Sequence, residues 1–145
     1  MTKPLRVLLV EDNDGDVEMT EHAFRDGKPA CAISVANNGV EALQFLSKQG
    51  NFSNAPTPNL ILLDLNMPKM DGKKFLDCVK SDPKLKAIPV VMFTSSESES
   101  DIRDCYERHA SCYVVKPFDG KVFVETVRQV VRFWGDLGRL PEDLV

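Results

Sequence analysis

The run Leu60-Ile61-Leu62-Leu63 most constrains this chain, because it passes straight into a carboxylate, Asp64, and then into Pro68 and the Asp71-Gly72 pair. A short apolar run bounded by turn residues reads as a strand buried on both faces, and such strands belong to parallel sheets covered by helices. Asp64 then stands at the carboxyl end of a central strand, where open parallel sheets place their ligand sites. Pro68 and Asp71-Gly72 break the chain before a helix from Lys73 to Lys80 that carries Phe75, Leu76 and Val79.

Four further apolar runs share this character: Leu5–Val10, Cys31–Ala36, Ile88–Phe93 and Cys112–Val115. Segments with helical spacing separate them. The first runs from about Gly15 to Asp26, with Asp14 as its expected N-cap, Asp16 and Glu18 suited to its dipole, and Val17, Thr20 and Phe24 inward. Gly27-Lys28-Pro29 ends it. Val40–Lys48 follows, and then a polar loop, Gln49–Pro58, that is long for such a connection. Ser98 or Ser100 is expected to cap a helix reaching His109, with Ile102, Cys105 and Tyr106 inward. A last helix is expected from about Gly120 to Trp134. Strict alternation of strand and helix implies a parallel sheet between two helical layers, joined by right-handed crossovers.

Composition removes several functions. At 145 residues the chain is long enough for one cored domain, and 43% apolar with 28% charged residues is globular composition. A net charge of −4 and a pI near 5.2 offer nothing global to nucleic acid or an anionic membrane. No apolar run has membrane-spanning length, and the start carries no secretory pattern, so the expected location is the cytoplasm. The four cysteines, Cys31, Cys78, Cys105 and Cys112, lack zinc-site spacing and read as small hydrophobes.

All strand ends in a parallel sheet face one rim. Here that rim collects Glu11 and Asp12, Asp64, Thr94 and Lys116. Three neighbouring carboxylates repel by roughly 4 kcal/mol per pair at about 4 Å and an effective dielectric near 20, so the cluster calls for a cation. Few oxygen ligands with room for water favour Mg2+. Calcium would want an Asp-rich loop, and zinc would want His or Cys. A carboxylate beside a divalent cation, an ammonium and a hydroxyl suits phosphoryl transfer, with Asp64 the best nucleophile because it leaves the middle of the sheet.

These residues also carry a resemblance. Leu9-Val10-Glu11-Asp12-Asn13, Leu62-Leu63-Asp64-Leu65-Asn66-Met67-Pro68-Lys69-Met70-Asp71-Gly72, Pro89-Val90-Val91-Met92-Phe93-Thr94-Ser95 and Tyr113-Val114-Val115-Lys116-Pro117-Phe118 make the chain resemble the CheY-like receiver domain of two-component response regulators from about Leu5 to Trp134. The resemblance implies an α/β, flavodoxin-like (βα)5 three-layer sandwich with a parallel five-stranded sheet of order 2-1-3-4-5, the strand order of CheY. It makes Asp64 the site phosphorylated by a histidine kinase. Mg2+ would be held by Asp12, Asp64 and the carbonyl of Asn66, with Glu11 acting through water. Thr94 and Lys116 would bind the phosphoryl group, and Tyr113 would report it by remodelling the face of helix four, strand five and helix five. Such a protein is a cytoplasmic signalling module and not an enzyme beyond its own phosphorylation and dephosphorylation. Two alternatives remain: an aspartyl-phosphate phosphatase, disfavoured by Asn66 where a second Asp is usual, and a phosphate-independent scaffold.

Residues 1–134 are thus expected to form the receiver, and 135–145 a tail too short for an output domain. Output is then expected through contacts of the receiver itself. On the last helix Phe123, Val124, Val127, Val130, Val131 and Trp134 form one stripe, which leaves Val122 and Phe133 partly exposed. They are expected at a homodimer interface, extended by Leu137, Leu140 and Leu144. The long loop, the Asn59–Pro68 run and the Phe133-Trp134 ending with its Leu-Pro tail look like the small single-domain regulators paired with bacterial phytochrome kinases, which makes a phytochrome the expected kinase partner.

Overall fold

The computed structural model describes residues 4–25 and 31–141. Five parallel strands, β1 (Leu5–Val10), β2 (Cys31–Ala36), β3 (Leu60–Leu63), β4 (Val90–Thr94) and β5 (Cys112–Val115), lie in the order β2-β1-β3-β4-β5. Helices α1 (Asp14–Arg25), α2 (Gly39–Leu46), α3 (Gly72–Ser81), α4 (Glu99–Glu107) and α5 (Gly120–Arg132) alternate with them. The parallel sheet between helices is the one the strand–helix alternation implies, and its order is that of the flavodoxin-like (βα)5 sandwich that the receiver resemblance implies.

Successive side chains of a strand face opposite ways, so each central strand feeds two cores. Leu8, Val10, Ile61, Leu63, Val90 and Met92 pack with Phe45, Phe75, Leu76 and Cys105 beneath α2, α3 and α4. Val7, Leu9, Leu60, Leu62, Val91 and Phe93 pack with Phe24, Phe123, Val127 and Val131 beneath α1 and α5. β3 is buried at every residue, which is why its sequence is continuously apolar rather than alternating.

The boundaries differ from expectation where a cap or a turn decides them. Asn13, not Asp14, accepts the Asp16 N–H at 2.9 Å, and Asp14 is already helical. Asp71 accepts the Lys74 N–H, so the Asp71-Gly72 pair starts α3 instead of merely interrupting the chain. Ser98 caps α4, of which Cys105 is buried, but Tyr106 is 47% exposed rather than inward. The long loop contains one short turn of 3-10 helix, Gly50–Phe52, whose Phe52 ring meets Phe45 edge-on. α5 stops at Arg132 and widens into a single π-type turn, Phe133–Leu137.

Val122 and Phe133 are 48% and 51% exposed, as the stripe on α5 implies, and Leu137 of the tail is 74% exposed. Leu140 is a correction. The sequence places it on an exposed interface, yet it is 4% exposed and inserted in the core shared with α5. The π-type turn allows this by turning the chain back under the sheet. Asp26, the Gly27-Lys28-Pro29 stop and Leu144 lie outside the described residues.

Candidate functional site

The parallel register brings the strand ends together. Val10 is level with Leu63, and Leu63 with Met92, so Glu11 and Asp64 leave adjacent strands side by side while β4 runs on to Thr94. Backbone bonds close this edge: Glu11 N–H donates to the Ala36 carbonyl at 3.0 Å, Asp64 N–H to Val10 at 3.1 Å and Lys116 N–H to Thr94 at 2.8 Å. Carboxylate oxygens of Glu11, Asp12 and Asp64 lie within 4.8 Å of one another. Glu11 and Asp64 are buried, whereas Asp12 faces solvent.

Each acid is held differently. Asp64 Oδ1 accepts the Leu65 N–H at 2.8 Å. Glu11 Oε2 accepts the N–H groups of Asp12 and Asn13 at 3.1 and 3.2 Å, while its Oε1 takes the Lys116 ammonium. Both Glu11 oxygens are therefore engaged, which suits an indirect role toward a metal, and Asp12 is left open to solvent for a direct one. Burial pushes the Glu11 carboxyl up to about 7; its bond to Lys116 opposes that shift and the Asp64 charge reinforces it.

Lys116 Nζ lies 2.8 Å from Asp16 Oδ2 and 3.5 Å from Asp64 Oδ2, besides its contact with Glu11. Burial works against its charge, but the bonds to Asp16 and Glu11 outweigh burial and hold the ammonium above the ordinary lysine value. One cation thus faces Glu11, Asp16 and Asp64, with Asp12 alongside. This donor set fits a divalent cation: carboxylate oxygens only, more acid than the lysine neutralises, and one acid open to water.

Thr94 supplies the sharpest signal. It is fully buried, and its hydroxyl finds no hydrogen-bond partner among the described residues. An unpaired buried hydroxyl costs about 1–3 kcal/mol, so such a group at a rim of charged residues is poised for a ligand oxygen.

Tyr113 is half-buried on β5, and its hydroxyl donates to the Ser96 carbonyl at 2.9 Å. Burial pushes its phenol up. Ser96 Oγ in turn donates to Asp101 at 2.7 Å, and Lys73 donates to Asp101 at 2.8 Å and pairs with Asp104 at 3.0 Å, which ties the loop after β4 to both α4 and α3. Asn66 follows Asp64 by two residues in an exposed turn. Val122 and Phe133 lie on α5 and at its end, and Phe118 is fully exposed just beyond Lys116.

Asp16 is the rim residue that the sequence pattern does not single out. Its place in the first turn of α1 reads as a dipole effect. The missed signal is its spacing, four residues after Asp12 and so one helical turn further along the chain that leaves β1.

The response regulator receiver domain family matches residues 7–128. Response regulator Rcp1 of Synechocystis sp. is 38% identical over 138 residues, covering 95% of this chain and 94% of that protein. The crystal structure of the Mn2+-bound form of Rcp1 superposes with a TM-score of 0.90 over 95% of this chain and 99% of that one. The phosphorylated cyanobacterial phytochrome response regulator RcpA, 37% identical, superposes with a TM-score of 0.92 over 96% and 99%.

Proposed function

Since this chain belongs to the response regulator receiver family, we propose that Asp64 is its phosphoacceptor, taking a phosphoryl group from the phosphohistidine of a histidine kinase. An Asp64 oxygen attacks phosphorus in line; the O–P bond forms as the P–N bond breaks, and the imidazole nitrogen leaves with the electron pair and takes a proton from solvent. Mg2+ bound by Asp12, Asp64 and the Asn66 carbonyl, with Glu11 reaching it through water, would neutralise phosphoryl oxygens. Lys116 balances the remaining negative charge, and the Thr94 hydroxyl donates to a phosphoryl oxygen. The observation that carries this reading is that unpaired Thr94 hydroxyl beside the acid–lysine rim.

The charge on Asp64 is read out when Thr94 turns toward it. Thr94 carries Ser95 and Ser96 with it, and the Ser96 carbonyl holds Tyr113, so the α4–β5–α5 face changes shape. A phytochrome kinase is the partner favoured by the likeness to RcpA. Val122 and Phe133, both about half exposed, form the contact of a homodimer. The protein acts in the cytoplasm, as a signalling module whose only chemistry is its own phosphorylation and dephosphorylation.

Acetyl phosphate with Mg2+ should add one phosphoryl mass to the wild type and none to Asp64→Asn. Labelling of Asp64→Asn to the wild-type level would overturn the assignment. Sedimentation of Val122→Asp/Phe133→Asp tests the dimer, which the double variant should dissociate.

A further inference from the structure

The geometry points to Asp16 as the positioning residue that holds Lys116 before phosphorylation and releases it to the phosphoryl group afterwards, so that it sets how strongly the protein favours its phosphorylated form. This inference rests on Asp64 being the phosphoacceptor.

A lysine ammonium has three N–H bonds. Two of those on Lys116 serve Glu11 and Asp16 at close range, while Asp64 at 3.5 Å is beyond good hydrogen-bond geometry. In this state the acceptor therefore shares the ammonium with two better-placed acids. A phosphoryl group on Asp64 brings strongly charged oxygens to compete for the same ammonium, and as they draw it toward Asp64 one of its two present partners gives way.

Glu11 is the less able to do so. Its side chain is 3% exposed, and two backbone N–H groups clamp its second oxygen; a charge released there would gain almost no contact with bulk solvent. The Asp16 side chain is 23% exposed, and among the described residues its carboxylate has no partner besides Lys116. Released, it can rehydrate. The backbone of Asp16 is also well anchored. Its N–H is capped by Asn13 at 2.9 Å, and its carbonyl accepts the Thr20 hydroxyl at 2.8 Å, so the first turn of α1 fixes where the carboxylate stands.

Removing this competing charge while keeping the side-chain shape should therefore favour the phosphorylated form. In Mg2+, beryllofluoride is a non-covalent phosphoryl mimic with which to read the effect. Asp16→Asn should bind it about fivefold more tightly than the wild type, the upper end of what a partly exposed ion pair contributes. Asp16→Glu, which restores a carboxylate within reach of Lys116, should return affinity to within about twofold of the wild type. Glu18→Gln removes the same charge from an exposed position on the same helix and should leave affinity within about twofold, since a charge facing solvent is screened.

Equal gains in Asp16→Asn and Glu18→Gln would reduce the effect to net charge and overturn the inference, as would unchanged or weaker binding in Asp16→Asn. If the wild type itself neither bound beryllofluoride nor accepted a phosphoryl group on Asp64, the underlying reading of the site would fall instead.

Discussion

Gly72 is where helix α3 presses against the backbone of Asp64 and Leu65, and Gly72→Ala should damage both stability and the proposed chemistry. A Cβ at this position would stand 2.9 Å from the Leu65 Cα and 3.1 Å from the Asp64 carbonyl carbon, with the Asp64 carbonyl oxygen nearer still. Ordinary C···O approach is about 3.3 Å or more, so the two backbones would have to separate by about 1 Å. Neither is free to move. Gly72 N–H donates to the Leu65 carbonyl at 2.8 Å, Asp71 caps the helix, and β3 is buried throughout. Overpacking costs typically 1–3 kcal/mol, and two rigid backbones place this case at about 3 kcal/mol. For a chain of this size that lowers the melting temperature by roughly 10 °C. With Asp64 as the proposed nucleophile, a shift of about 1 Å there should also slow labelling by acetyl phosphate on the order of a hundredfold. Gly15→Ala is the matched control. There a Cβ meets only the Asn13 side-chain oxygen, at 3.3 Å, and the gain in helix propensity of about 1 kcal/mol offsets it. Thermal unfolding of both variants checks the argument. A Gly72→Ala protein within about 1 kcal/mol of wild type, or one indistinguishable from Gly15→Ala, would refute it.

Glu11 predicts a pH dependence. Its carboxyl is raised from 4.5 to about 7 by burial, so between those values the folded state binds a proton that the unfolded state has lost, and metal-free stability falls as pH rises through that window. Mg2+ requires the ionised acids and should therefore raise the melting temperature more at pH 8 than at pH 5.5; Glu11→Gln should flatten the metal-free slope, and a slope that survives it would count against this origin. Lys73→Met should cost only about 1 kcal/mol, because its pairs are 27–40% exposed and screened, and the loss should shrink in high salt when melting is followed against ionic strength. Leu140→Ala should cost about 2–4 kcal/mol by emptying a core position. That loss should not vary with protein concentration in melting experiments, since Leu140 is buried within its own chain.

The central layer was legible because period and burial agree. Leu60–Leu63 and Val90–Phe93 are apolar on both faces since both faces are covered, and each ends where a charged or hydroxyl residue begins. The rim followed from topology alone, since parallel strands share an end. What escaped were facts set by competition in three dimensions. Leu140 and Leu137 look alike in sequence, but a π-type turn after α5 sends one into the core and leaves the other in solvent. Tyr106 has helical spacing suited to burial but sits at the margin of a short helix, with its hydroxyl accepting the Tyr113 N–H at 3.1 Å. Asp16 was invisible as a site residue because its role depends on a lysine one hundred positions away.

The distribution of bonds around the rim says where a charge on Asp64 can be felt. β3 cannot carry the change, for its residues are buried on both sides and tight packing does not deform continuously. β1 leads into Glu11 and Asp12, and backbone bonds to β2 and β3 lock its end. The segment after Thr94 is different. Ser95, Glu97, Ser98, Glu99 and Ser100 are exposed, and Ser96 is held by polar contacts, from Tyr113, to Asp101 and from the Ser98 N–H, rather than by apolar burial. Segments of this kind open at the low end of the stability range. The orphaned Thr94 hydroxyl therefore sits at the junction of a rigid strand and a soft loop. Pairing it with a ligand oxygen should therefore move the loop before the sheet, and the loop's own contacts lead to Tyr113 on β5 and to α4. On this account an alteration of Asp101 or Lys73 disturbs the response at α4 while leaving the chemistry at Asp64 intact, because the tether they form joins α3, α4 and Ser96 without bonding to Glu11, Asp64 or Lys116.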